Sequence, residues 1–324
     1  MSRKVAHKYQ TKSNISRRNF LSSTLITAGI LCTTGLMNAG KASGNQEDYP
    51  RIGLALGSGG ATGLSHIPML EVFDELGLKP SIIAGSSIGA IIGALYCSGL
   101  SGKEIRKIVN EFSGSGMDVF KALISGDSGL KIADMLRLDI DEGGLVDSQG
   151  FLNFLKHNIK QTDFEELSIP LKVVAADYWK REEVVFESGK IMPAVKASMA
   201  VPGLFAPVTI DERLLVDGGT VNPLPYDLIK KDCDILVAID VSGVASKEQG
   251  KDPDFTDSLF NTFEIMQQAI TSQKMKYIMP DIYIKPDVAG IRLLHFNRSE
   301  LIFEQAAPAA QDLKNKLKEL IYES

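Results

Sequence analysis

The segment Gly85-Ser86-Ser87-Ile88-Gly89 constrains the fold of this chain more than any other. Residues 81–84 before it have the length and apolar character of a short buried strand, and residues 90–96 after it are apolar and rich in small side chains. A glycine two residues to each side of Ser87 relieves the crowding of a tight turn between a strand and a helix. We therefore predict a strand–turn–helix unit that pushes the Ser87 hydroxyl outward, with a helix that packs closely on a sheet.

Strands and helices are predicted to alternate along most of the remaining chain. Apolar runs indicate strands at 51–56, 171–176, 183–186, 213–216 and 234–239, and helical periodicity indicates helices at 64–76, 102–112, 149–160 and 191–198. This alternation is typical of an α/β fold, in which helices cover both faces of a mainly parallel sheet. One domain over residues 50–324, after a polar linker at 43–49, accounts for all of these elements.

Residues 1–42 differ in composition from the rest of the chain. They carry seven basic residues and no acidic one, and Ser16-Arg17-Arg18-Asn19-Phe20-Leu21 leads into a moderately apolar run that ends at Met37. This order is typical of a twin-arginine signal peptide, and the small residues Gly40 and Ala42 favour cleavage after Ala42. The sequence therefore predicts export by the twin-arginine machinery, to the periplasm or out of the cell.

A retained N-terminal membrane anchor is the alternative for the same segment, since about 17 to 20 apolar residues nearly span a bilayer. The threonines and glycines between Leu21 and Met37 make the run only weakly hydrophobic, which favours a cleaved signal. Cys32 follows Leu31 rather than a small residue, so no N-terminal lipid is predicted.

Charge and cysteine content narrow the classes of partner. Without residues 1–42 the chain keeps 28 basic and 40 acidic residues, a formal net charge of −12, which argues against nucleic acid as a partner. A chain of this length does not need a disulfide for stability, so Cys97 and Cys233 are expected to be buried free thiols, with a disulfide as the alternative. No cluster of residues has metal-ligand spacing, and neither a metal nor a cofactor is predicted.

A glycine-rich segment, Gly57-Ser58-Gly59-Gly60-Ala61-Thr62-Gly63, follows the first predicted strand. Because Gly59 and Gly60 lack side chains, their backbone N–H groups can approach a ligand closely, and the helix expected at 64–76 adds a favourable dipole. We predict that Gly59 and Gly60, with Ala61 as a third candidate, bind developing negative charge. Gly57, Ser58 and Gly63 are expected to support this loop.

A phosphate or dinucleotide site is the competing interpretation of the same loop, because such sites also combine a strand, glycines and a helix. Thr62 stands where the last glycine of the dinucleotide pattern, counted from Gly57, is required, and no lysine fits a P-loop. The serine turn at residues 85–89 argues further against nucleotide binding.

A serine hydroxyl attacks an ester only when a base removes its proton, and the chain offers two candidates. Asp217 is followed by Gly218 and Gly219, which allow close approach, and partial burial would raise its pKa towards that of a useful base. The alternative for Asp217 alone is a turn-forming Asp-Gly pair. His295 also completes the chain order Ser87, Asp217, His295 expected of an α/β-hydrolase triad, whereas His66 is expected to be packed and His157 to lie on the surface.

In combination, the Ser87 turn, the upstream glycine loop and Asp217-Gly218-Gly219 resemble the patatin-like phospholipases, especially bacterial members. The resemblance covers about residues 50–300 and includes Ile169–Asp177, Ala197–Val208 and Leu214–Pro225. It implies a three-layer α/β/α patatin-like fold with a mainly parallel central sheet. It also implies hydrolysis of lipid esters by a serine and aspartate dyad without histidine.

Carried over to this sequence, the resemblance makes Ser87 the nucleophile, Asp217 the base and residues 58–61 the oxyanion hole. The glycines that support these motifs are Gly85, Gly89, Gly218 and Gly219. Two positions depart from the family pattern: Thr62 stands where the loop usually has arginine, and Pro68 where glycine is common. The missing arginine bears on how the oxyanion or a lipid head group is held.

These features predict an exported lipid acyl hydrolase of phospholipase A or lysophospholipase type, acting through a covalent acyl-enzyme. The expected partners are a lipid or phospholipid substrate and a membrane surface. Apolar residues within 113–146 have the spacing of an amphipathic helix, which indicates either a cap over the serine or ordinary core packing. The remaining alternatives are an α/β-hydrolase esterase with the His295 triad and a non-catalytic lipid-binding protein of the same fold.

Overall fold

Eight strands form one sheet in the computed structural model, which describes residues 50–115, 155–243 and 255–322. In chain order they are β1 (Ile52–Leu56), β2 (Ile82–Ser86), β3 (Leu171–Asp177), β4 (Glu182–Phe186), β5 (Val208–Ile210), β6 (Arg213–Asp217), β7 (Ile235–Ile239) and β8 (Ile282–Ile284). Hydrogen-bonded pairs link the strands in the series β5-β6-β3-β2-β1-β7-β8, and β4 also pairs with β3. Strands β3, β2, β1, β7 and β8 are parallel to their neighbours in that series, whereas β4 and β6 pair with β3, and β5 with β6, in antiparallel fashion.

Six longer helices accompany the sheet within the described residues. They are α1 (His66–Glu75), α2 (Ile88–Cys97), α3 (Gly102–Ser115), α4 (Ile191–Ser198), α5 (Phe255–Met275) and α6 (Ser299–Tyr322). A 3-10 helix over Gly60–Ser65 leads directly into α1. All ten residues of α2 are buried, as expected for a helix of small and apolar residues packed on a sheet.

Side chains of the central strands alternate between two apolar cores. Leu54 and Leu56 of β1 belong to a large core that includes residues of α1, α2, α3 and α6. Ala55 between them belongs to a smaller core on the opposite face, together with Leu224 and Tyr226. Apolar residues therefore cover both faces of the sheet. This is expected for a mainly parallel sheet, whose strands are buried on both sides. The predicted three-layer α/β/α arrangement with a mainly parallel sheet is confirmed.

The predicted elements lie within a few residues of the observed ones, but two of the strands and two of the longer helices were not predicted. Strands β5 and β8 have three residues each, too few to show an alternating pattern. Helix α6 contains Pro308, which interrupts the sequence signal of a helix. Helix α5 exposes Leu259, Ile265 and Met266 and so lacks a clean apolar stripe. Residues 116–146 of the segment with amphipathic spacing at 113–146, and the start of the helix predicted at 149–160, lie outside the described residues.

Cys97 and Cys233 are both free thiols. Cys97 is buried in α2, and burial raises the pKa of its thiol. Cys233 is only half-buried, contrary to the prediction for it, because it lies in a loop just before β7, where its thiol donates to the carbonyl of Ile229 at 3.3 Å. Among the described residues, no helix combines the length and apolar character needed to cross a bilayer.

Candidate active site

Ser87 lies in the tight turn between β2 and α2. Its backbone has φ 55° and ψ −122°, a conformation that non-glycine residues rarely adopt, that costs about 1–3 kcal/mol and that persists only where surrounding contacts hold it. One such contact is visible: the Ser87 N–H donates to the Oγ of Ser198, at the end of α4, at 2.9 Å. Ser198 is fully buried, so a residue distant in the sequence helps to hold this strained turn.

Glycines bring the glycine-rich loop close to this turn. A side-chain carbon at Gly89 would overlap the carbonyl oxygen of Leu56, and one at Gly63 would overlap the side chain of Ile88. A carbon at Gly85 would lie 2.5 Å from the carbonyl oxygen of Gly89. The start of α2 therefore contacts the end of β1 backbone to backbone, and the loop that follows β1 lies next to Ser87.

Strands β2 and β6 meet end to end along one edge of β3. Ser86, the last residue of β2, pairs with Val174, and Asp217, the last residue of β6, pairs with the next residue, Ala175. Strand β4 pairs with the same stretch of β3 and must occupy its other edge. Because β2 is parallel to β3 and β6 is antiparallel to it, their carboxyl ends face each other. This topology brings Asp217 to Ser87.

The Asp217 carboxylate is fully buried and serves two purposes. Its Oδ1 accepts a hydrogen bond from the Gly219 N–H at 2.7 Å, which makes the turn expected of an Asp-Gly pair. Its Oδ2 is buried and has no hydrogen-bond partner among the described residues. Burial raises the pKa of Asp217 to about 7. The nearby Ser87 hydroxyl and the Gly219 N–H favour the ionised carboxylate and so lower this pKa, but by less than burial raises it. A carboxylate with this pKa can accept a proton near neutral pH.

The histidines are placed differently from a catalytic triad. The Nδ1 of His295 accepts a hydrogen bond from the Arg292 N–H at 3.1 Å, whereas a triad requires Nδ1–H to donate to the aspartate. His66 is fully buried, and its Nε2 donates to the carbonyl of Gly57 at 2.9 Å, as expected for a packed histidine. Burial lowers the pKa of His66 to about 4, so it is neutral near pH 7 and supports the glycine loop.

The glycine loop leaves two of the three predicted donors available. The N–H groups of Gly59 and Gly60 donate to no backbone carbonyl within the part of the chain that the structure describes. The N–H of Ala61 donates to the carbonyl of Leu293 at 2.8 Å. Ala61 is therefore not an oxyanion donor in this conformation, because a single N–H already bonded inside the protein is not free for a ligand.

Thr62 fixes the conformation of this loop. Its buried hydroxyl lies 2.6 Å from the carbonyl oxygens of both Gly59 and Val241, and it can donate to either. A side-chain carbon at Gly59 would overlap the same Val241 carbonyl, and Gly60 has φ +60°, so glycine is needed at both positions. The residue that departs from the family pattern is thus built into the loop rather than directed at a ligand.

Gln267 of α5 is a site residue that the motifs did not reveal. It is buried, and its Nε2 donates to the Oγ of Ser58 at 3.0 Å. A side-chain carbon at Gly219 would overlap this Nε2 and would lie 2.6 Å from Ser58 Oγ and 2.8 Å from Asp217 Oδ1. The three polar groups converge where Gly219 leaves space. An isolated glutamine on a mixed helix carries no sequence signal of this role.

Within residues 50–115, 155–243 and 255–322, no group of three or more histidine, cysteine or carboxylate side chains could hold a metal ion. The polar groups gathered around Ser87 are instead hydroxyls, backbone N–H groups, one amide and one buried carboxylate. Such a set can transfer a proton and stabilise an anion, which are the two requirements of acyl transfer by a serine.

Comparison with known proteins gives one family. The sequence model of the patatin-like phospholipases matches residues 54–230, more than half of the chain, and this range includes the glycine loop, Ser87 and Asp217. An uncharacterized NTE family protein of Mycobacterium tuberculosis (strain ATCC 25618 / H37Rv) is 31% identical over 214 residues, which cover 65% of this chain and 55% of that protein. The chain thus spans about half the length of its mycobacterial relatives.

Two further comparisons reach proteins that are larger than this chain. The mouse patatin-like phospholipase domain-containing protein 6 is 29% identical over 193 residues, 59% of this chain and 13% of the mouse protein. The crystal structure of VipD from Legionella pneumophila superimposes with a TM-score of 0.43 at 14% identity, covering 82% of this chain and 67% of VipD. The match of the family model over more than half of the sequence is decisive. The chain belongs to the patatin-like phospholipase family.

Proposed function

We propose that this protein is an exported lipid acyl hydrolase in which Ser87 is the nucleophile and Asp217 the base. The observation that carries the proposal is the buried Asp217 carboxylate beside the strained Ser87 turn, with one oxygen left without a hydrogen bond. Membership of the patatin-like phospholipase family supports a lipid ester as the substrate. The test is release of fatty acid from a phospholipid and from a panel of short-chain esters.

The reaction proposed for this site has two halves. In the first, Asp217 accepts the Ser87 proton, the serine oxygen attacks the ester carbonyl, and Asp217 then gives this proton to the alcohol as it leaves, which restores the carboxylate. In the second, water attacks the acyl-serine, gives a proton to Asp217, and the fatty acid leaves as Ser87 recovers its proton. The Gly59 and Gly60 N–H groups are assigned to the oxyanion in both halves, assisted by the positive end of α2.

The activity is expected to depend on pH through Asp217. Because only the ionised carboxylate accepts a proton and burial raises the pKa of Asp217 to about 7, kcat/KM should fall about tenfold per pH unit below pH 7 and stay level above it. The measurement is a pH profile on a soluble ester that does not titrate, from about pH 5 to about pH 9. Circular dichroism across the range controls for unfolding. A level profile down to pH 5 would contradict a base with a raised pKa.

Export is a separate proposal that depends on residues 1–42. Replacing Arg17 and Arg18 together by lysine should leave the precursor unprocessed in the cytoplasm, because the twin-arginine machinery reads the arginine pair. Cell fractionation followed by immunoblotting measures this. The matched control replaces Arg3 and Lys4, which lie in the same segment outside the motif. Normal processing of the Arg17 and Arg18 variant would count against this route.

A further inference from the structure

The turn between β3 and β4 exposes two aromatic side chains. Trp179, the only tryptophan in the chain, is 74% exposed, and the neighbouring Tyr178 is 50% exposed. Their ring centroids are 4.9 Å apart and the ring planes are nearly perpendicular, an edge-on contact. Burial of such rings is favourable, so their exposure at one point on the surface requires an explanation.

This aromatic tip, residues 178–181, is an ordered turn. The buried carboxylate of Asp177 accepts hydrogen bonds from the N–H groups of Trp179 at 3.1 Å and Lys180 at 2.9 Å. The Arg181 N–H donates to the Asp177 carbonyl at 2.8 Å, and the Tyr178 N–H donates across to β6. Since both sides of the turn are fixed, the two rings are held away from the protein rather than folded back onto it.

The aromatic tip lies at the same end of the parallel strands as Ser87, their carboxyl end. Strands β2 and β3 are parallel, and Ser86 pairs with Val174, so β3 continues for three residues beyond the end of β2 before the tip begins. Asp217 is paired with β3 at Ala175, between these two points. The tip therefore lies beyond the candidate catalytic residues, on the side towards which β2 ends, whereas β6 begins beside the tip and runs back from it to Asp217.

The tip also carries positive charge on a chain that is acidic. Lys180 and Arg181 are exposed and follow the two aromatic residues directly, and the four residues of the tip include no carboxylate. Lys180 pairs loosely with Glu182 of β4 at 3.7 Å, on the surface, where such a pair contributes little. Tyrosine and tryptophan favour the interface between a bilayer and water, and lysine and arginine favour anionic head groups.

We propose that residues 178–181 dock the protein on the surface of a bilayer that contains anionic phospholipid. The inference rests on the proposed function, because a lipid hydrolase must reach ester bonds at such a surface. Docking through Trp179 and Tyr178 would turn the Ser87 edge of the sheet towards the lipid. It assigns a role to side chains that neither the dyad nor the glycine loop uses.

The single tryptophan allows a direct test with the full-length Ser87→Ala variant, which does not consume the lipid. Vesicles of phosphatidylcholine and phosphatidylglycerol should shift the Trp179 emission to the blue, and brominated lipid should quench it. Residues 1–42 contain no tryptophan, so the apolar leader adds nothing to this signal. Unchanged emission in the presence of bound vesicles would overturn the inference.

Two variants made in the same background give matched controls. Trp179→Ala should weaken sedimentation with the anionic vesicles about tenfold, which corresponds to roughly 1.4 kcal/mol. Tyr277→Ala removes a ring that is 86% exposed. Tyr277 comes before β8 and so lies at the amino ends of the parallel strands, opposite the tip. This variant should bind the vesicles as the parent does. Equal loss in both variants would contradict a localised docking site.

The outcomes also separate this inference from the proposed function. A blue shift combined with no hydrolysis by the wild type would support docking and contradict the acyl hydrolase. Hydrolysis of dispersed esters, with Trp179 emission unchanged by vesicles, would support the enzyme and overturn docking. A preference for a protein partner over vesicles would also overturn it.

Discussion

Ser87→Ala and Asp217→Asn are each expected to lower kcat/KM for ester hydrolysis by about three orders of magnitude or more, whereas His295→Ala should change it by less than about threefold. The first variant removes the oxygen that we propose attacks the ester, and the second replaces the proposed base by an amide that cannot accept a proton. His295 already uses Nδ1 to accept from the Arg292 N–H, so its loss removes no group of the dyad. Initial rates of fatty-acid release from a phospholipid and from short-chain esters measure all three.

The stability of Asp217→Asn provides the control for folding. Burial raises the pKa of the folded-state carboxyl to about 7, above the value near 4 expected for the unfolded chain. The folded state therefore holds the proton more tightly, and this group's contribution to stability is lost as the pH rises to about 7. Above pH 7 the wild type buries an ionised carboxylate that the variant lacks. We expect Asp217→Asn to have a Tm at pH 8 no lower than that of the wild type.

Three outcomes of the activity assay have different meanings. A loss of several orders of magnitude in His295→Ala would replace the dyad by the triad of an α/β-hydrolase. Full activity in Asp217→Asn would leave the serine without the proposed base. A folded wild type that releases no fatty acid from any substrate would favour a lipid-binding protein of the same fold.

Gly89→Ala is expected to destabilise the folded protein by at least about 3 kcal/mol, the largest effect on stability of any change considered for this site. The added carbon would overlap the carbonyl oxygen of Leu56 and would lie 2.8 Å from that of Gly57. Both are backbone atoms of β1 and its loop, which cannot rotate away as a side chain does. Relief requires α2 to move off the sheet, and Ser87 would move with it. Denaturant unfolding at constant pH measures the change.

Gly93→Ala in the same helix is the matched control. Its added carbon would lie 3.3 Å from a methyl group of Leu171 and 3.4 Å from one of Ile83, which are ends of side chains. Alanine is also favoured over glycine in a helix interior by about 1 kcal/mol. We expect Gly93→Ala to change stability by less than about 1 kcal/mol in either direction. Similar losses in the two variants would show that close backbone contact at Gly89 is not the cause.

Local sequence determined the elements whose physics is local. The Ser87 turn was predictable because its glycines and its flanking apolar runs lie within a dozen residues, and steric crowding in a tight turn acts over that distance. The glycine loop was predictable as a site of close approach for the same reason. The short strands β5 and β8 and the mixed helix α5 were not, because their stability comes from neighbours distant in the chain rather than from their own pattern.

The tertiary structure alone decided how these parts work together. The pairing register along β3 brings the end of β6 against the end of β2, and the burial that results gives Asp217 its raised pKa and its unbonded oxygen. Contacts between residues far apart in the sequence withdraw the Ala61 N–H from the site and add Gln267 to it. The sequence by itself identified the Ser87 turn, the glycine loop and Asp217 as the parts of a candidate site. Hydrogen bonding and desolvation depend on what surrounds a group in space. Which N–H groups are free to donate, and how readily Asp217 accepts a proton, could therefore be assigned only in the folded chain.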